Sequence, residues 1–263
     1  MILGLLQARM SSSRLPGKVL RSLLGKPMLQ QQIERLRSAQ KIEKLVVATS
    51  TDPSDDVLDQ LCQQIGVPCA RGSLNDVLDR FYQAALQYAP DHVVRLTGDC
   101  PLTDPALIDR IIAFHLDGNF DYSSNTLEPS FPDGLDAEIF CMSALERAWK
   151  EAKLPSEREH VTQHIVRHPE SFRLGSYKES PSFSHLRWTV DDAQDFEMVT
   201  KIYEELYPQG CNFNTAAILG LIEKHPEFAT CNLNNARNEG LKKSAREDEL
   251  FLQKLGEANG TLQ

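Results

Sequence analysis

The 263-residue chain contains no apolar stretch of 18 residues, which excludes a membrane-spanning helix by hydropathy. Its short apolar start, Met1 to Leu6, has neither a basic flank nor a cleavage pattern, so no secretory signal is read there and a cytoplasmic location is expected. Positive charge is also in short supply. Lysine and arginine number 28 against 37 acidic residues, a net charge of −9, which argues against a general nucleic-acid or anionic-membrane surface. The six cysteines form no Cys-x-x-Cys pair, so reduced and mostly buried thiols are expected rather than a zinc ribbon or a disulfide framework. Internal repeats and low-complexity segments are absent, and the length suits one large domain over residues 1–231 with an extension over 232–263.

Several chemical signatures are missing as well. A Walker A loop needs Gly-x-x-x-x-Gly-Lys followed by Ser or Thr, but Ser12 stands at the first glycine position and Val19 follows Gly17-Lys18. That disfavours a P-loop kinase or ATPase. His160, His164 and His168 lie four apart, yet the His-Glu-x-x-His order of a zinc protease is absent, and Ser156 to Glu159 reads as a capping box that accounts for Glu159.

What is present is concentrated at the start. Residues 7 to 18, Gln-Ala-Arg-Met-Ser-Ser-Ser-Arg-Leu-Pro-Gly-Lys, follow an apolar run with the composition of a buried strand. Arg9, Arg14 and Lys18 therefore emerge at a strand's carboxyl end, where open α/β sheets bind ligands. Arginine forks onto phosphate oxygens and lysine serves as a mobile point charge, while serine hydroxyls and loop amides fill the remaining acceptors. A small polyphosphate is the expected target; a solvated basic turn is the alternative.

Strand-like runs at Leu45–Thr49, Val67–Ala70 and His92–Leu96 alternate with helical periodicity near Met28–Ser38, Asp55–Ile65, Leu74–Tyr88 and Ala106–Leu116. Asp52-Pro53 and Asp104-Pro105 are N-cap and first-turn signals. The pattern predicts a βαβ architecture. In the less regular second half, alternation at Asp136–Phe140, helices near Met142–Ala152 and Glu157–His168, a strand at Leu186–Val190 and a helix after Asp192 read as an insertion that covers the active edge and returns to the sheet. An amphipathic helix over Asn235–Leu255 suits packing or dimerisation.

Carboxylates answer the basic loop. Asp99 ends the strand Arg95-Leu96-Thr97-Gly98 and is the first choice for a Mg²⁺ ligand, because a nucleoside triphosphate brings a divalent ion that takes only one or two protein carboxylates. Asp191 either completes that site or shares the N-cap role with Asp192. Asp136 and Glu138 share one face of a strand, as a pair for sugar hydroxyls or metal or as a solvated edge. Cys100 has no base beside it in sequence, so a thiol nucleophile is not expected.

On these residues the chain resembles the cytidylyltransferases that activate acidic sugars, and most closely their spore coat polysaccharide biosynthesis branch, which is similar to the synthetases of CMP-linked 3-deoxy-octulosonate and acylneuraminate. The resemblance rests on Gln7-Ala8-Arg9 with Ser13-Arg14-Leu15-Pro16-Gly17-Lys18, on Arg71-Gly72-Ser73 with Asp76-Val77-Leu78 and Arg80, and on Arg95 with Thr97-Gly98-Asp99-Cys100-Pro101-Leu102. Pro132-Asp133-Gly134-Leu135-Asp136, Arg158-Glu159-His160-Val161-Thr162 and Thr189-Val190-Asp191 continue it to about residue 230. The resemblance implies a three-layer α/β/α nucleotidyltransferase fold, Rossmann-like, with a mostly parallel mixed sheet, and a homodimer. It implies that Ala8, Arg9, Ser13, Arg14 and Lys18 meet CTP, that Arg71, Ser73 and Arg80 lie around base and ribose, and that Asp99 and Asp191 hold Mg²⁺. For the acidic acceptor sugar it implies Asp133, Asp136, Glu138, Arg158 and His160.

The function implied is transfer of CMP from CTP to an acidic sugar, with release of pyrophosphate, in surface-glycan biosynthesis. Its rivals are a sugar-1-phosphate nucleotidyltransferase, a nucleotide-sugar glycosyltransferase and a non-catalytic nucleotide-binding subunit. The acidic insertion speaks against the first, and the absence of an Asp-x-Asp motif against the second. Retention of the loop cations and Asp99 speaks against the third.

Overall fold

A computed structural model describes residues 1–210, 213–229, 237, 244 and 246–254. Strand β1, Ile2–Gln7, is buried on both faces, as its unbroken apolar run requires. After the basic loop, a hairpin of β2 (Ser22–Leu23) and β3 (Lys26–Pro27) turns through Leu24 and Gly25, both at positive φ, and leads into helix α1, Met28–Leu36. Then come β4 (Lys44–Ser50), α2 (Asp56–Gln64), β5 (Cys69–Gly72), α3 (Val77–Leu86), β6 (His92–Thr97) and α4 (Pro105–Gly118). This half matches the expected alternation. Asp104 caps α4 by accepting from Ala106 N at 3.0 Å, with Pro105 in the first turn as predicted. Asp52 instead caps a short 3-10 turn, Pro53–Asp55, which precedes α2.

The second half supplies β7 (Tyr122–Ser124), β8 (Glu138–Cys141), α5 (Met142–Glu151), α6 (Pro155–Glu159), α7 (Gln163–Arg167), β9 (Leu174–Ser176), α8 (Ala193–Leu206) and α9 (Thr215–Lys224). The main sheet has the order β5-β4-β1-β6-β8-β7-β9. β8 is antiparallel to both its neighbours, and the other pairings are parallel, so it is a mostly parallel mixed sheet. Side chains alternate between two cores. Leu6, Val47, Val94 and Ile139 face the layer that holds α1, α2, α4 and α8. Leu5, Val46, Val93 and Phe140 face the layer of α3 and α5.

Three expectations are corrected. Leu186–Val190 is no ladder strand: it lies beside Asp133 through one isolated bridge between Asp133 and Arg187, with Trp188 N donating to Asp133 O at 2.6 Å. The helix expected over Glu157–His168 is two helices, broken where Val161 takes φ 59°. Ser156 does not cap it, because α6 starts one residue earlier; Glu157 accepts from Lys153 N and Leu154 N instead, and Ser156 Oγ donates to Asp248. β7 and β9 have three residues each, too few to display a period in sequence.

Of the extension, residues 246–254 are helical and the rest of the helix expected over Asn235–Leu255 lies mostly outside the described residues. Its described part packs on the main body: Asp248 accepts from Ser156 N at 2.9 Å, and Ser244 is buried.

Gly134 packs against the backbone of the irregular segment at Trp188 and Thr189, a strap that runs beside Asp133. At its φ of 111°, a Cβ would come within 2.5 Å of both Thr189 N and Trp188 C. Both atoms are backbone and cannot yield. Gly134→Ala is expected to lower unfolding stability by at least about 2 kcal/mol in denaturant titration; an unchanged midpoint would show that the strap is free to shift.

Candidate active site

The carboxyl ends of β1 and β6 lie side by side, with Gln7 paired to Thr97. Gly98 N donates to Gln7 O at 2.7 Å, and a Cβ on Gly98 would sit 3.0 Å from that oxygen. This close approach delivers Asp99 beside the basic loop. Gly17, at φ 68°, turns the loop back through a hydrogen bond to Met10 O and starts the short helical turn that carries Lys18.

Lys18 is the centre of the site. Only 8% exposed, its Nζ donates to Asp99 Oδ2 at 3.0 Å, to Asp191 Oδ1 at 3.0 Å and to the Val190 carbonyl at 2.7 Å. Burial works against its charge, but the two carboxylates outweigh it and raise its pKa. Asp99 responds in the opposite sense: burial pushes its pKa up, Lys18 and a hydrogen bond with Thr97 pull it down further, and it settles at about 2. Asp191 also meets Arg14 at 2.8 Å and Arg187 at 2.6 Å. The choice left open for Asp191 resolves here, because Asp192 caps α8 by accepting from Gln194 N and Asp195 N, each at 2.9 Å.

Asp99 and Asp191 fit a divalent cation. Each places one oxygen on the same point, now filled by the lysine ammonium, and two hard carboxylates are the complement that Mg²⁺ takes from protein.

Beside this cluster opens a cavity of about 520 Å³ whose lining includes Arg14, Arg95, Asp99, Asp133, Asp136, Glu138, His160, Arg187 and Asp191. Asp136 and Glu138 both face it, as the period-two reading placed them on one face. Glu138 pairs with Arg95 and accepts from Tyr122 at 2.7 Å and Thr162 at 2.6 Å; burial opposes its charge, but Arg95 and these donors lower its pKa. Burial raises Asp133, although Arg187 lies 2.8 Å away, and it pushes Asp136 to about 7 against the attraction of Arg237. His160 reaches the cavity and shares a 2.8 Å contact with Ser244 Oγ; burial lowers its pKa.

Arg158 does not join the sugar-sized cavity. Its guanidinium grips Asp76, with Nε 3.0 Å from Oδ1, and donates to the Trp149 carbonyl at 2.8 Å, tying α6 to the start of α3. Arg71 is likewise engaged, at 2.8 Å from the Ser50 carbonyl and 2.7 Å from Asp56. Ser13 is exposed in the loop, Ala8 is buried beneath it, and Ser73 Oγ accepts from Asp76 N at 3.0 Å. Arg80 is buried at 1% exposure and donates to the Ser73 carbonyl at 2.8 Å, but its Nε and Nη2 have no hydrogen-bond partner. Burial, followed by the nearby charge of Arg9, lowers its pKa to about 10. Cys100 is no nucleophile, since burial and Asp99 raise its pKa well above the usual thiol value.

Arg187, Arg95, Tyr122, Thr162 and Arg237 are site residues that the sequence reading did not assign. Two signals were available. Arg95 and Thr97 alternate along β6 with Asp99 two residues further on, and Arg187, Thr189 and Asp191 repeat that spacing outside any ladder strand, so a cation precedes each metal-type aspartate by four residues.

Residues 3–235 match the protein family described as Cytidylyltransferase. The chain belongs to that family. Among curated relatives it is 39% identical over 238 residues to an uncharacterized protein of Methanocaldococcus jannaschii, spanning 89% of this chain and 95% of that one. It is 34% identical over 237 residues to the spore coat polysaccharide biosynthesis protein SpsF of Bacillus subtilis, spanning 87% and 97%. A solved cytidylyltransferase from Leptospira borgpetersenii superposes with TM-score 0.83 at 32% identity, over 89% of this chain and 98% of that chain. CMP:2-keto-3-deoxy-manno-octonic acid synthetase complexed with CTP shares the fold, with TM-score 0.61 at 16% identity over 78% and 98%. This cytidylyltransferase is therefore a nucleotidyltransferase of α/β fold, and none of its described helices is long and apolar enough to cross a membrane.

Asp136 gives the site a pH signature. Its folded pKa of about 7 lies above the unfolded value of about 3.9, so its contribution to stability is fully present below the unfolded value and is lost as pH rises towards and through 7. In Asp136→Asn this decline between about pH 4 and 7 is expected to flatten in denaturant unfolding series; an unaltered slope would remove Asp136 as its source.

Proposed function

We propose that the protein transfers CMP from CTP to a hydroxyl of an acidic sugar, of the 2-keto-3-deoxy or nonulosonic acid type, and releases pyrophosphate. The observation that carries this reading is the bridge from Lys18 to Asp99 and Asp191, built at the rim of a cavity large enough for one sugar. Asp99 and Asp191 would hold Mg²⁺, which when bound polarises the α-phosphate and acidifies the attacking hydroxyl. The residues do the rest. Lys18 and Arg14, released from the carboxylates they now neutralise, meet charge that gathers on the departing pyrophosphate, with Arg9 beside them. The unpartnered Nε and Nη2 of Arg80 want an acceptor, and CTP oxygens would supply it, with Arg71 and Ser73 flanking the nucleoside.

Arg95 and Arg187 line the cavity beside Asp133, Asp136 and Glu138, and would meet the carboxylate of an acidic acceptor while Arg14 turns to the pyrophosphate. Asp136, with a pKa of about 7, is partly protonated at neutral pH and so opposes an anion less than a full carboxylate would. The three carboxylates and His160 also offer hydrogen bonds to sugar hydroxyls. Arg158, bound to Asp76, would act on this pocket only through the helix it anchors. Cytoplasmic action as a homodimer in surface-glycan biosynthesis completes the proposal.

Pyrophosphate release with Mg²⁺ is the test, run for CTP, UTP, ATP and GTP against 3-deoxy-ulosonic acids, sialic-acid-like sugars and sugar 1-phosphates. Release with CTP and one acidic sugar alone is expected; release with a sugar 1-phosphate instead would overturn the acceptor. Lys18→Ala and Asp99→Asn are each expected to lose about 10²–10³-fold or more in kcat while retaining the fold by circular dichroism, and near wild-type rates would remove these residues from the chemistry.

A further inference from the structure

The three histidines spaced four apart separate in the folded chain. The break at Val161 sends His160 to the sugar-sized cavity, whereas His164 on α7 and His168, which caps the end of α7, stay together, their rings 4.3 Å apart and tilted by 35°. α6 brings Glu157 against them. One ligand atom from each of Glu157, His164 and His168 lies within 4.8 Å of the other two, and His164 Nδ1 is 3.5 Å from Glu157 Oε1.

The remaining atoms of all three groups are already engaged. Glu157 Oε2 accepts from Lys153 N at 3.0 Å and Leu154 N at 3.1 Å, leaving Oε1 towards the histidines. His168 Nδ1 lies 2.7 Å from the His164 carbonyl, an acceptor only, so Nδ1 carries the proton and Nε2 keeps its lone pair. His164 Nε2 lies 3.4 Å from Glu151 Oε2, which favours the proton there and the lone pair on Nδ1. That Nδ1 is buried without a hydrogen-bond partner, in a residue only 6% exposed. An orphaned imidazole nitrogen aimed at a buried carboxylate is costly unless something positive lies between them.

We propose that Glu157, His164 and His168 form a Zn²⁺ site that clamps α6 to α7, separate from the Asp99 and Asp191 cluster. Two imidazoles and one carboxylate suit Zn²⁺ rather than Mg²⁺ or Ca²⁺, which prefer oxygen throughout. Ligands at Zn²⁺ distances stand about 3.3–3.4 Å apart in a tetrahedron, close to the 3.5 Å already separating His164 Nδ1 from Glu157 Oε1. Water takes the fourth position. The hydrogen bonds from His164 to Glu151 and from His168 to a carbonyl are the outer supports that metal-binding histidines use. Arg167, 3.9 Å from Glu157 Oε1, is the one opposing charge in contact among the described residues, and it is drawn off by Asp248 at 3.3 Å and Ser156 Oγ at 2.9 Å. Because α7 also lends Gln163 and Val166 to the cavity wall, the clamp braces one side of the sugar-sized cavity.

The test uses the untagged full chain, stripped with chelator and titrated with Co²⁺ and then Zn²⁺. One equivalent of Co²⁺ with the visible absorption of a tetrahedral ion is expected, displaced stoichiometrically by Zn²⁺ and retained in Asp99→Asn. His168 is partly exposed, so His168→Gln is expected to fold and to weaken Zn²⁺ binding about 10–100-fold. X-ray absorption of the Zn²⁺-loaded wild type, which needs no variant, is expected to show two imidazole neighbours. No saturable binding, unchanged affinity in His168→Gln, or a zinc environment of oxygen or sulfur alone would each overturn the proposal.

Discussion

One ammonium group between two carboxylates organises the active edge. Lys18 comes from the loop after β1, Asp99 from the end of β6, and Asp191 from the segment entering α8, so the three contacts of its Nζ join parts of the chain more than 80 residues apart. Without that cation the two aspartates would repel each other in a half-buried setting; with it, Asp99 is held well below the usual carboxylate range and both carboxylates are aimed at one point.

The sheet determines where that point lies. Parallel strands β4, β1 and β6 bring their carboxyl ends to one edge, and the reversal at β8 turns Glu138 back beside Arg95 to make the cavity floor. Glu138 and Arg95 are costly alone and tolerable together, with Tyr122 and Thr162 filling the remaining carboxylate lone pairs. The irregular strap from Asp133 to Trp188 then closes the far wall, where Arg187 gathers Asp133, Asp191 and Asp195. Burial thus does two jobs in one cavity: it intensifies the pairs that are matched and raises the pKa of Asp136, which is matched less well.

Much of this was legible in the residues themselves. A six-residue apolar strand followed by three loop cations, and a Gly-Asp turn at the end of a second apolar run, are local patterns, and β1, β6, Lys18 and Asp99 stand where those patterns put them. Where local pattern was thin, the reading failed for a physical reason. β7 and β9 are too short to show a period, Val161 adopts positive φ without being glycine, and Arg158 has the same residue type whether it binds a sugar or Asp76.

The sequence by itself determined the alternation of strands and helices, the family, and the positions at which cation and carboxylate sit at strand ends, because period and turn chemistry act over a few residues. Only the tertiary structure decided which charges meet. Asp191 rather than Asp192 faces Lys18, Arg187 binds the cavity's far wall, and His164 and His168 part from His160, because such pairings depend on strand order, on burial and on a single backbone break rather than on distance along the chain.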